Sequence, residues 1–61
     1  MKFIYPLELK MNDQIAVKLD DDSPAHYERV TAVYRQGDKA VVETDRRMLR
    51  LDPGLKVQAL A

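Results

Sequence analysis

The chemistry-bearing side chains of this chain fall into four groups, and spacing tests each of them. His26 is the only histidine, and it follows Ser23 and the acidic run Asp20-Asp21-Asp22. Serine, histidine and aspartate are the residue types of a hydrolytic triad. Such a triad needs base and nucleophile held rigidly beside an oxyanion hole. A short acidic loop supplies no such frame, so the better reading is a loop histidine beside a carboxylate. The aspartates, with Asn12 and Asp13, also raise a hard-cation site. An EF-hand loop starting at Asp20 would need an oxygen ligand at 24, glycine at 25 and glutamate at 31. The chain has Pro24, Ala25 and Thr31 there, and the motif fails. A solvated acidic loop fits better, because blocks of like charge face water.

With no cysteine, and no ligand spacing around His26, no metal site is expected. Gly37 and Gly54 are isolated turn glycines rather than parts of a phosphate-cradling motif, so nucleotide binding has no support. No catalytic residue, no cofactor and no small-molecule substrate is implied, and the chain is read as non-enzymatic.

The third group is basic. Arg46, Arg47 and Arg50 form the densest cluster, with Lys39 near it in a folded meander. Arginines beside an aromatic ring can hold phosphates and stack bases, which makes a nucleic-acid-binding barrel the alternative reading. Against it, ten basic residues balance ten acidic ones, whereas a general nucleic-acid binder carries positive excess. Ordinary cross-strand pairing of Arg35 and Arg50 with Glu43 and Asp45 explains the same residues. The fourth group is apolar. Val33, Val41 and Met48, ringed by Arg35 and Arg50, are expected on the outer face of one sheet. Patches of that composition mark protein contacts, in which methionine and arginine are enriched.

All of these assignments depend on a central meander that spans Tyr27 to Leu51. Val30-Thr31-Ala32-Val33-Tyr34 is rich in the β-branched and aromatic types that fit a pleated surface. Gln36-Gly37-Asp38-Lys39 interrupts it, Ala40 to Thr44 resumes it, and Asp45-Arg46 turns it again into Met48-Leu49-Arg50-Leu51. An odd loop at Gly37 puts Val30, Ala32, Tyr34, Ala40 and Val42 on one face. Thr31, Val33, Arg35, Val41 and Glu43 then lie on the other. A two-residue loop would set Glu43 opposite Ala32 among apolar neighbours, and an isolated buried carboxylate is costly, so the odd loop is preferred. At the second turn Val42 falls opposite Leu49 and Ala40 opposite Leu51, with Met48 and Arg50 outward. A helix over residues 24–36 is the competing reading (an α+β fold), with Ser23 as N-cap, Pro24 at its start and Gly37 past its end.

The flanking segments alternate as strands. Residues 3–9 place Phe3, Tyr5, Leu7 and Leu9 on one face, and Pro6 makes this an edge strand. In the next segment Ile15, Val17 and Leu19 point inward. Asp52-Pro53-Gly54 reads as a type II turn, and Leu55, Val57 and Ala59 alternate in a last strand.

Five or six short antiparallel strands in 61 residues must curl to bury one face. The coarse order of strand, acidic loop, three-stranded meander, Pro-Gly turn and final strand resembles an SH3-like small barrel. The paired tryptophans and aromatic run of the peptide-binding SH3 groove are missing, so proline-peptide recognition does not follow. Expected, therefore, is one all-β domain over residues 1–61 that binds a protein partner or itself. No transmembrane segment or signal peptide is evident and cysteine is absent, which is compatible with a cytoplasmic location. Charge is uneven: residues 1–30 carry four basic and six acidic groups, and residues 31–61 carry six and four. Such asymmetry favours association.

Overall fold

The computed structural model describes residues 2–60. It contains strands β1 (Lys2–Ile4), β2 (Gln14–Val17), β3 (His26–Gln36), β4 (Lys39–Thr44), β5 (Met48–Leu51) and β6 (Val57–Ala59), with a 3-10 turn η1 (Pro6–Glu8). All six pair antiparallel in the order β1-β6-β2-β3-β4-β5, so the sheet is open, with β1 and β5 at its edges. Residues 26–36 are strand, which overturns the helix over 24–36: the run of β-branched and aromatic side chains outweighs the capping signals at Ser23 and Pro24.

The first segment is shorter as a strand than its alternation suggested. Pro6, which has no N–H to give to a ladder, instead opens η1, closed by Glu8 N–H to Tyr5 O at 2.9 Å and Leu9 N–H to Pro6 O at 3.2 Å. Phe3 is consequently exposed, while Ile4 and Leu9 turn to the core and Pro6 is buried. Leu19, expected inward, and Leu55, expected to open the last strand, both lie outside the strands and are exposed. The Asp52–Leu55 turn is closed by Leu55 N–H to Asp52 O at 3.1 Å, but Gly54 does not take positive φ, so it is not type II. The Asp52 carboxylate, accepting from Gly54 N–H at 2.8 Å, holds it instead.

The core is Leu9, Ile15, Val17, Val30, Val42 and Ala59, flanked by the partly buried Ile4, Val33, Leu49, Leu51 and Val57. Two local features decide which side of the meander faces it. Gln36 pairs Lys39, so the β3–β4 loop has two residues, not an odd number. Gly37 takes φ 62° at the first central position and Asp38 does not take positive φ, the signature of a type II′ hairpin. Thr31 is then skipped in the ladder: Val30 pairs Thr44, and Ala32 pairs Glu43. This bulge shifts the alternation by one residue, so Val30 and Val33 both reach the core although they are three apart. Ala32 and Tyr34 go outward, reversing their expected inward positions, and Val33 and Arg35 move off the outer face. Glu43 does sit opposite Ala32, but on the outer face beside solvent, so the burial cost weighed against that register does not arise. The β4–β5 register is the expected one, with Val42 opposite Leu49 and Ala40 opposite Leu51.

Candidate functional site

The outer face of β3–β4–β5 gathers Ala32 and Tyr34 from β3, Val41 and Glu43 from β4, and Met48 and Arg50 from β5. Register produces this set: Val41 lies between Tyr34 on one side and Arg50 on the other, and Glu43 between Ala32 and Met48. The Tyr34 side chain crosses β4, because its hydroxyl lies 3.9 Å from Met48 Sδ on the far strand. Val41 is fully covered beneath these neighbours, whereas Tyr34 is 41% and Met48 56% exposed. Desolvation, then Glu43 through its charge and a hydrogen bond, pushes the Tyr34 phenol above its ordinary value of 10.0, with Arg50 opposing. Chemically this is an apolar platform bracketed by one acid and one base.

Of the residues expected in a protein interface, Val41, Met48 and Arg50 share this face. Val41 serves as its floor rather than as a contact. Val33 packs against the core, and Arg35, on the Ala40 side, donates from Nε to Gly37 O at 3.3 Å at the hairpin end. Tyr34, the one aromatic side chain of this face, is the residue that sequence reasoning missed. Glycine at the first loop position was the signal that could have found it.

The basic cluster is dispersed. Lys39 opens β4 and Arg46 lies past its other end, so the strand's length of about 17 Å, at ~3.3 Å per residue, separates them. Arg50 belongs to the outer face. Arg47 is held internally, its Nε donating to Glu28 Oε1 at 3.0 Å and Oε2 at 2.9 Å.

That contact belongs to a buried network outside the four groups. Glu28 shares the inner face with Ile15, its β2 neighbour, and is only 2% exposed. The Thr44 hydroxyl donates to Oε1 at 2.7 Å, and the ring of His26, the first residue of β3, sits 2.5 Å from Oε2. Burial pushes the Glu28 carboxyl up. The hydrogen bonds from Thr44, His26 and Arg47, together with the Arg47 charge, outweigh it and bring the carboxyl from 4.5 down to about 2. Thr44 Oγ1 also accepts the N–H groups of Arg46 and Arg47, at 3.2 and 3.1 Å, which ties the β4–β5 turn to the same centre. The expected carboxylate beside His26 is therefore present, and it is Glu28 on the strand rather than an aspartate of the loop. The network is saturated, and joins β3, β4 and the β4–β5 turn.

The acidic loop turns on itself: Asp20 Oδ1 accepts from Asp22 N–H at 2.9 Å, and the Ser23 hydroxyl, followed by that N–H, draws the Asp20 carboxyl below its ordinary value. Among the described residues no cluster of histidine and carboxylates could hold a metal ion, no pocket is present, and no helix is long and apolar enough to cross a membrane. Comparison with protein-family models, with curated proteins and with solved structures found no match, so any function has to rest on the chain's own side chains.

Proposed function

We propose that this chain is a non-catalytic interaction module that binds a protein through the outer face of β3–β4–β5. One observation carries the reading: Tyr34 and Met48 stand exposed side by side over a covered valine, between Glu43 and Arg50. Aromatic and methionine side chains give large contact area, and the paired opposite charges set orientation without demanding a strongly charged partner. The pinned Arg47 and the separation of Lys39 from Arg46 weigh against the nucleic-acid reading, which ranks second. The proposal includes a cytoplasmic location, and an architecture in which the bend at Thr31 starts the curl of an SH3-like small barrel.

The test is affinity capture from native lysate with the parent chain and with Tyr34→Glu, each with and without nuclease. We expect proteins retained by the parent, lost with Tyr34→Glu, and indifferent to nuclease. An identical set on both baits would overturn the docking face. Retention that disappears with nuclease would favour the second reading.

A further inference from the structure

Beyond that docking face, the free edge of β5 carries a second inference. A two-residue β3–β4 hairpin makes Gln36 and Lys39 a hydrogen-bonded pair. Pairs alternate between bonded and non-bonded, so Lys39, Val41 and Glu43 address β3, and Ala40, Val42 and Thr44 address β5. The Thr44 N–H to Arg47 O bond at 2.8 Å agrees independently. On β5, Leu49 and Leu51 therefore spend their backbone groups on β4. The N–H and C=O of Met48 and Arg50 point the other way, and among the described strands β5 has a neighbour on one side only.

Edge strands are usually blunted by proline, by an inward charge or by shortness. At the other edge β1 has three residues, with Lys2 on it and Pro6 just past it. The Met-Leu-Arg-Leu sequence of β5 has neither proline nor an inward-pointing charge. Such an edge offers a ladder to another strand.

We propose that two copies of this chain pair antiparallel through β5, about a two-fold axis at Leu49. In this register each Met48 exchanges both backbone bonds with Arg50 of the second copy. Leu49 meets its own counterpart on the core side, and Arg46 falls opposite Asp52 of the second copy. Face parity allows only even shifts, and both neighbouring registers are penalised. Centring on Arg50 sets two Arg50 side chains against each other, and centring on Met48 sets Arg46 against Arg50. Like charges directly opposite destabilise a sheet, so the chain's own charges select the Leu49 register. The contact is isologous and closes at two copies. It also brings the two outer faces side by side, with Met48 of each copy next to Arg50 of the other.

Sedimentation equilibrium up to about 1 mM protein, with amide exchange measured at low and high concentration, tests this. We expect a monomer–dimer equilibrium in which the Met48 and Arg50 amides become protected as dimer forms, while those of Leu49 and Leu51 are protected throughout. A synthetic chain with an N-methyl amide at Arg50 keeps every side chain and removes only the outward N–H, so it should stay monomeric. Should that chain not fold, Arg46→Glu decides: it turns two attractions into repulsions on an exposed turn and should weaken the dimer by about five- to tenfold. A parent that remains monomeric, a folded N-methyl chain that still dimerises, or a dimer indifferent to Arg46→Glu would each overturn the proposal. Tyr34→Glu separates the two readings, since it removes the docking platform and should leave the edge dimer intact. A monomeric Tyr34→Glu would assign self-association to the face and refute the edge.

Discussion

Replacing Glu28 with glutamine should cost about 3 kcal/mol at neutral pH and remove most of the chain's acid sensitivity. The carboxyl falls from 4.5 in the unfolded chain to about 2 in the folded one. At about 1.4 kcal/mol per pH unit, that difference is worth roughly 3 kcal/mol. Because the folded value is the lower one, this stability is complete above pH 4.5 and drains away as pH falls toward 2. Geometry gives a similar figure. Taking one partner out of a buried ion pair costs about 3–5 kcal/mol, and the low end applies because the Arg47 side chain keeps 32% exposure and can rehydrate. A domain of 61 residues holds roughly 3–9 kcal/mol in all, so the loss would be plain. Urea unfolding followed by circular dichroism from pH 7 to pH 2 would measure it. The parent should lose stability steeply below pH 4.5, and Glu28→Gln should start lower and run nearly flat. Asp20 titrates in both proteins, so it cancels in the difference. Parallel acid limbs, or a variant within about 1 kcal/mol of the parent at pH 7, would refute the assignment of this centre.

Val41→Glu should destabilise the domain as well as block binding, since the residue is fully covered and the exposed Arg50 opposite it repays only part of the cost of taking a carboxylate out of water; unchanged stability in chemical denaturation would contradict this. Gly37→Ala should cost about 1 kcal/mol in chemical denaturation, entirely from φ 62°, because an added Cβ meets nothing within 4 Å. A D-alanine at the same position should restore the parent stability.

What could be read from the chain depended on how local the deciding contact was. The β4–β5 register followed from side-chain types alone, since the Asp45-Arg46 reversal and the alternation of Met48 to Leu51 agree. The β3–β4 register did not, because it turns on glycine in the first loop position, the mark of a type II′ turn, and not on side-chain faces. The penalty assigned to Glu43 presumed that its face was buried. No residue type announced the bulge at Thr31, whose hydroxyl donates to Glu43 O at 3.2 Å across the strands. The Glu28 centre was hidden for a different reason. Its partners Thr44 and Arg47 lie 16 and 19 residues away, and only the shared parity of Glu28 with Val30 hinted that a carboxylate would need a cation inside.

The skipped residue at Thr31 gives β3 two phases, one before it and one after. Deleting Thr31 would therefore merge the two phases into one regular ladder, with Val30 inside, Ala32 outside and Val33 inside as before, as a second frameshift restores a message. Adding a residue beside it is what would throw the later side chains out of phase, carrying Tyr34 into the hydrocarbon and Val33 out to water. Lengthening the hairpin tip at Gly37-Asp38 would leave that phase untouched, so insertions should survive there and fail a few residues upstream.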